Sequence, residues 1–147
     1  MKKYKDNLWN ISKIKVGTIL RDWFNEGIRI ILMRGPASIN VYFGIPKNHP
    51  LANHSYDDLP IDCHGGLTFA GGGKYWPNDY FWYGYDYAHA GDYCIFESKR
   101  ANEILGKYEL KEKKWTIKEI VNDSWSALSD FKRLVKLAEE IKRKPNL

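Results

Sequence analysis

The chain reads as an α+β fold, an antiparallel sheet with a long C-terminal helix packed on one face and a short N-terminal helix. Three observations predict it. Two β-branched runs, Ile28–Met33 and Ile39–Ile45, flank turn residues; the aromatic run Tyr80–Tyr87 reads as a further strand; and a capping-box spacing at Thr116–Glu119 opens a long helical repeat. Strands grouped ahead of a helix, rather than alternating with helices, favour antiparallel pairing.

Taken in order, residues 1–15 can dock Leu8, Trp9, Ile11 and Ile14 as an arm or a short helix. Thr18 is a candidate cap for the short helix, with Ile19, Leu20, Trp23 and Phe24 on one face and Gly27 at its left-handed end. The run Ile28–Met33, the turn Arg34-Gly35-Pro36-Ala37-Ser38 and the run Ile39–Ile45 predict a hairpin, which Pro46 stops. Residues 47–60, rich in Pro, Asn, His and Asp, predict a surface excursion returning near Ile61. Leu67–Ala70 and Tyr80–Tyr87 are expected as strands, joined by a glycine-rich loop, 71–78, in which Trp76-Pro77 either folds over a site as a lid or simply closes a hairpin. A further strand is expected at Tyr93–Phe96, and the charged stretch 98–114 yields no assignment. From Ile117 to Ile141 apolar residues recur at helical intervals, with a break near Ser129 left open.

At 147 residues the chain is expected to be a single domain, 1–147, with one core. Two cysteines, no apolar run near membrane-spanning length and no charged-then-apolar leader predict a cytoplasmic protein rather than a secreted or membrane one. A net charge of +5 favours anionic partners, although lysine-rich ends such as KRLVKLAEEIKRK also read as a solvated helix face. Aromatic residues at 15% supply core, stacking or interface surface, and a homo-oligomer, a dimer in the first instance, is expected to cover the excess.

The chemistry concentrates between Pro60 and Asp92. His64-Gly65-Gly66 sets an ionisable ring beside two residues free to adopt positive φ, so that main-chain N–H groups could meet an anion; a strand-start bulge is the simpler alternative. Asp86, His89 and Asp92 recur at intervals of three in a segment too glycine-rich for a helix. A histidine between carboxylates suits a general base or a phosphate donor, and a local Asx-type turn would use the same residues. Asp62, His64, Asp86, His89 and Asp92 lack the tight spacing of defined metal sites, so no metal and no cofactor is expected. Cys63 and Cys94 are expected to be buried rather than nucleophilic, since strand alternation would send Cys63 away from His64.

The segments VYFGIPKNHPLANHSYDDLPIDCHGGLTFAG, WYGYDYAHAGD and WTIKEIV are similar to a family of small, mostly phage-encoded accessory proteins. Its members share an HP before a YDD, an HGGLTF block, a W-x-G-F/Y-D-x-AHAGD block and a C-terminal helix opening on WT. The resemblance covers roughly residues 40 to 125 and implies a phage accessory role in the cytoplasm of an infected bacterium. Together with the residues it leads to the expectation of a protein that sequesters a small anionic nucleotide-derived ligand, a host immune signal. His64, Gly65, Gly66, Thr68, His89 and Arg34 would meet phosphate or ribose hydroxyls, Trp76 and Trp82 the base, and Asp86 and Asp92 would complete the site. The alternative is a phosphodiesterase-like hydrolase with His64 and His89 as acid and base and Asp86 or Asp92 orienting one ring. A third reading is an inhibitor that binds protein or nucleic acid through its basic ends.

Overall fold

A computed structural model describes residues 3–72, 79–94, 103 and 112–144. Five strands, β1 (Ile19–Asn25), β2 (Ile28–Arg34), β3 (Ile39–Pro46), β4 (Phe69–Gly71) and β5 (Tyr80–Asp86), pair antiparallel in the order β1-β2-β3-β5-β4. The helix α1 (Ile117–Arg143) crosses one face, so the fold is α+β.

The expected short N-terminal helix is instead β1. A bulge between Ile19 and Arg21 shifts the register, so that Leu20 and Trp23 share the helix-side face while Ile19 joins the opposite one. The three-residue spacing that looks helical is therefore produced by a bulged strand. Glu26 and Gly27, with φ of 50° and 81°, form the two-residue turn into β2. Positive φ at both central positions is the condition for a type I′ hairpin, so Gly27 closes a hairpin rather than a helix.

The β2–β3 hairpin stands as expected, with Arg34 opposite Ile39. After Pro46 the chain leaves the sheet, makes a 3-10 turn at Tyr56–Asp58 and buries Leu59 and Ile61 before β4 forms the far edge. Strand β5 then inserts between β4 and β3, starting where expected and ending one residue short of Tyr87. Of the expected strand at Tyr93–Phe96, Tyr93 and Cys94 lie outside any strand, beside a single parallel bridge between Asp92 and Lys113; Ile95 and Phe96, like most of the 71–78 loop, lie outside the described residues.

Alternation sorts β5 cleanly: Tyr83 and Tyr85 face α1, where Phe131 stacks on Phe43 at 5.3 Å, and Trp82 faces the other way, in a cluster with Ile31, Met33 and Tyr42. Each such fully buried side chain contributes about 1.5–3 kcal/mol. α1 runs unbroken through Ser129. Its N-terminus has the expected capping box, Thr116 Oγ1 accepting from the Glu119 N–H. The N-terminal arm, which is not helical, completes the cap: Ile117 and Lys118 donate their amides to the carbonyls of Leu8 and Asp6 at 3.1 and 2.8 Å. Three amides that helix geometry leaves without partners are thereby satisfied. Among the described residues no helix is long and apolar enough to cross a membrane.

Candidate functional site

The chain beyond β5 turns back towards the N-terminus of α1 and meets the connection that precedes β4. His64 comes from that connection, Asp86 from the end of β5, His89 and Asp92 from the turn beyond it, and Trp115 from the residue before the helix cap.

Asp92 is the hub. Its carboxylate is 6% exposed and accepts from His64 Nε2 at 2.6 Å, Trp115 Nε1 at 2.9 Å and the His89 N–H at 3.1 Å. Burial pushes its pKa up, but the hydrogen bonds from His64, His89 and Trp115 outweigh burial and hold it below the usual carboxylate range. His64 is clamped as well as bonded: its ring stacks on Tyr87 at 4.4 Å and 13° and meets the Trp115 ring edgewise at 5.1 Å. Tyr87 is tied in turn to α1 by donating to Asp123 Oδ2 at 2.6 Å, and burial raises its pKa strongly. With Nε2 committed to Asp92, His64 offers Nδ1 to a ligand.

The second imidazole lies edge-on, with the His64 and His89 rings 5.6 Å apart at 74°. The two side chains are 23% and 33% exposed, so each keeps one side towards solvent. His89 Nδ1 lies 3.5 Å from Asp86 Oδ1, and Asp86 accepts from the Ala88 N–H and from Thr68 Oγ1. Thr68 thus reaches the site through Asp86.

Gly65 and Gly66 have φ of 70° and 78°. The Gly66 N–H donates to the Cys63 carbonyl at 2.9 Å, so His64-Gly65 occupies the middle of a β-turn, and this amide is not presented to an anion as expected. Gly65 has a separate reason: a Cβ there would fall 2.2 Å from the His89 ring. Gly65 thus lets the His89 ring lie against the turn that carries His64, while Gly66 serves the turn itself.

The structure brings together His64, Gly65, Gly66, Thr68, Asp86, His89 and Asp92. It does not bring Arg34 or Trp82 to them. Arg34 is 3% exposed and donates to the carbonyls of Ile11 and Gly35, pinning the arm to the β2–β3 turn. Trp82 is 0% exposed, on the sheet face away from α1 with Gly44 against its ring. Trp76 lies outside the described residues.

Sequence reading missed Trp115 and Tyr87 as the walls around His64, and it missed the basic, aromatic ledge beside them. Lys113 Nζ sits 3.8 Å from the Trp115 ring, and Lys114 Nζ lies 4.3 Å from the Trp9 ring and 5.4 Å from that of the exposed Tyr93. The signal available was Trp115 immediately before the capping Thr116. Behind Tyr87 and Trp115 a cavity of about 20 Å³, also lined by Ile11 and Ser38, has room for about one water.

Cys63 and Cys94 are free thiols, partly rather than fully buried. Burial, with Asp62 and Asp123 adding to it, pushes Cys63 up to about 12; burial and Asp92 push Cys94 up to about 11. Neither supplies a thiolate at neutral pH. The donor atoms of His64, His89 and Asp92, although scattered in sequence, lie within 4.8 Å of one another and are the group able to hold a metal ion among the described residues.

Comparison of the chain with protein-family models, with curated proteins and with solved structures finds no match.

Proposed function

We propose that the protein binds and sequesters a small anionic, nucleotide-derived ligand, as a phage-type accessory protein acting on a host signal in the cytoplasm. The supporting observation is a continuous line of contacts, Lys113 on Trp115, Trp115 on His64, and His64 beside His89, that sets two half-exposed imidazoles next to a cationic, aromatic ledge. Imidazole donors suit phosphate oxygens, while exposed Tyr93 offers a face on which a base stacks for about 1–3 kcal/mol. The net charge of +5 would draw such a ligand in.

Hydrolysis of the same ligand is the second reading, favoured by the 2.6 Å His64–Asp92 hydrogen bond, which fixes one ring as an oriented base beside a second imidazole able to act as acid. A panel of linear and cyclic nucleotides, incubated with the protein and recovered after denaturation, separates the two. Intact ligand supports sequestration and a new product supports hydrolysis; no binding across the panel sinks both. His89→Ala is expected to abolish binding with little change in melting temperature, because its side chain is one-third exposed and its Nδ1 carries no hydrogen bond. His64→Ala should also lower stability, since it strips Asp92 of its shortest hydrogen bond.

A further inference from the structure

His89 Nδ1 is buried and has no hydrogen-bond partner, an arrangement that ordinarily costs about 1–3 kcal/mol. Two carboxylate oxygens are nearby, Asp86 Oδ1 at 3.5 Å and Asp92 Oδ2 at 3.8 Å, both beyond hydrogen-bond length. Such separations lie near those of two donors on one ion, since bonds of about 2.0–2.1 Å at tetrahedral angles place donor atoms about 3.4 Å apart, so the His89–Asp92 pair has to close by about 0.4 Å. The Asp92 oxygen in question is also the one 2.6 Å from His64 Nε2.

We propose that His64 Nε2, His89 Nδ1 and Asp92 Oδ2 bind a divalent transition-metal ion of the zinc class. Two imidazoles with one carboxylate suit zinc and its borderline neighbours rather than magnesium or calcium, which prefer all-oxygen sites. Three protein ligands leave a fourth position for water, a ligand oxygen or Asp86, which lies on the His89 side of the cluster. The surroundings are those of an oriented ligand: Trp115 Nε1 holds the other Asp92 oxygen at 2.9 Å, the His89 N–H fixes Oδ2, and Tyr87 fixes the plane of the His64 ring. On binding, the ion takes the place of the proton between His64 Nε2 and Asp92 Oδ2: in a neutral His64 that proton moves to Nδ1 by exchange with solvent, in an imidazolium it is released to solvent and the Nδ1 proton stays, and in either case the pair opens by about 0.8 Å. No redox step is involved. Gly65 leaves the His89 ring free to take its place, since a Cβ there would overlap it.

The proposal uses the site of the proposed function, with the open position available to a phosphate oxygen, but it does not require that ligand. The probe is therefore zinc alone. The full chain, stripped with chelator, is titrated with Zn²⁺ against a chromogenic competitor, and melting is followed with and without the ion. One ion per wild-type chain, a raised melting temperature, and affinity weakened by at least about tenfold in His64→Gln and His89→Gln are expected. Co²⁺ should give the visible absorption of a four-coordinate, nitrogen-ligated ion in the wild type and lose it in His89→Gln. Less than one ion per wild-type chain, or wild-type affinity in His89→Gln, overturns the proposal; the latter result would move the ion elsewhere, as to His49 beside Glu139. Should His64→Gln fail to fold, His89→Gln decides alone, since its Nδ1 carries no hydrogen bond to lose. Zinc binding without nucleotide binding would sink the ligand reading and leave this one; the reverse result would do the opposite.

Discussion

Gly65 and Gly66 make a controlled pair. Both have positive φ, but an added Cβ meets the His89 ring at 2.2 Å in the first case and nothing within 4 Å in the second. Gly66→Ala should therefore cost about 1–2 kcal/mol of backbone strain in a urea titration and leave the His89 ring resonances in place. Gly65→Ala should add about 1–3 kcal/mol of overlap and shift them, because the imidazole is the group that must move. Equal losses in the two variants, with His89 unperturbed in both, would mean that the double glycine serves only its turn. The thiols make a second residue-scale expectation. With pKa values pushed up to about 12 and about 11, Cys63 and Cys94 should react with a disulfide reagent at pH 7 far more slowly than a free thiol, and should both become fast on denaturation.

At the scale of elements, β3 and β5 are matched by glycines set under aromatic rings. Tyr42 faces Gly84, and Trp82 faces Gly44, in adjacent pairs on one face. A Cβ would come within 2.3 Å of the Tyr42 ring or 2.6 Å of the Trp82 ring. Gly44→Ala and Gly84→Ala should each destabilise by about 1–3 kcal/mol, a penalty that Trp82→Leu partly relieves for Gly44→Ala, which a double-mutant cycle would read. Helix α1 depends on its first turn. Thr116→Ala should cost about 1 kcal/mol. The Lys113 ammonium, then the Thr116 N–H, hold Glu119 below the ordinary carboxylate range. Its contribution is thus full above the unfolded value of about 4.3 and is lost as pH falls through the lower folded value. In Glu119→Gln, stability measured from pH 6 to 3 should fall less steeply than in the wild type; an unchanged slope would remove Glu119 from the acid response.

For the molecule as a whole, the proposed sequestration goes with a proposed homodimer. Leu137 and Ile141 lie one turn apart on α1 and are both exposed. Light scattering at micromolar concentration should give twice the chain mass, and Leu137→Lys with Ile141→Lys should halve it. A wild-type monomer would refute the assembly without touching the site. The site is itself a product of the whole fold, since His64 and Asp92 are 28 residues apart and Trp115 a further 23.

Sequence alone determined what depends on neighbours along the chain. The β2–β3 hairpin, the start of β5 and the capping box at Thr116 all follow from local turn chemistry and side-chain period, and so they were legible. His64, His89, Asp86 and Asp92 were legible as candidates because their residue types are costly to place without a purpose. What failed was whatever a distant partner decides. Residues 19–24 carry a helical spacing, yet pairing with β2 through a type I′ turn wins, and a bulge absorbs the mismatch. Arg34 looks like an anion contact but donates to two main-chain carbonyls, that of Ile11 in an arm that the sequence could not dock and that of Gly35 in the β2–β3 turn. His64, His89 and Asp92 were expected at one site, but that Asp92 is the buried hub and that Trp115 walls His64 follow from no local spacing: only the crossing from β3 to the far edge of the sheet and the packing of Trp115 against His64 put those atoms within reach of one another.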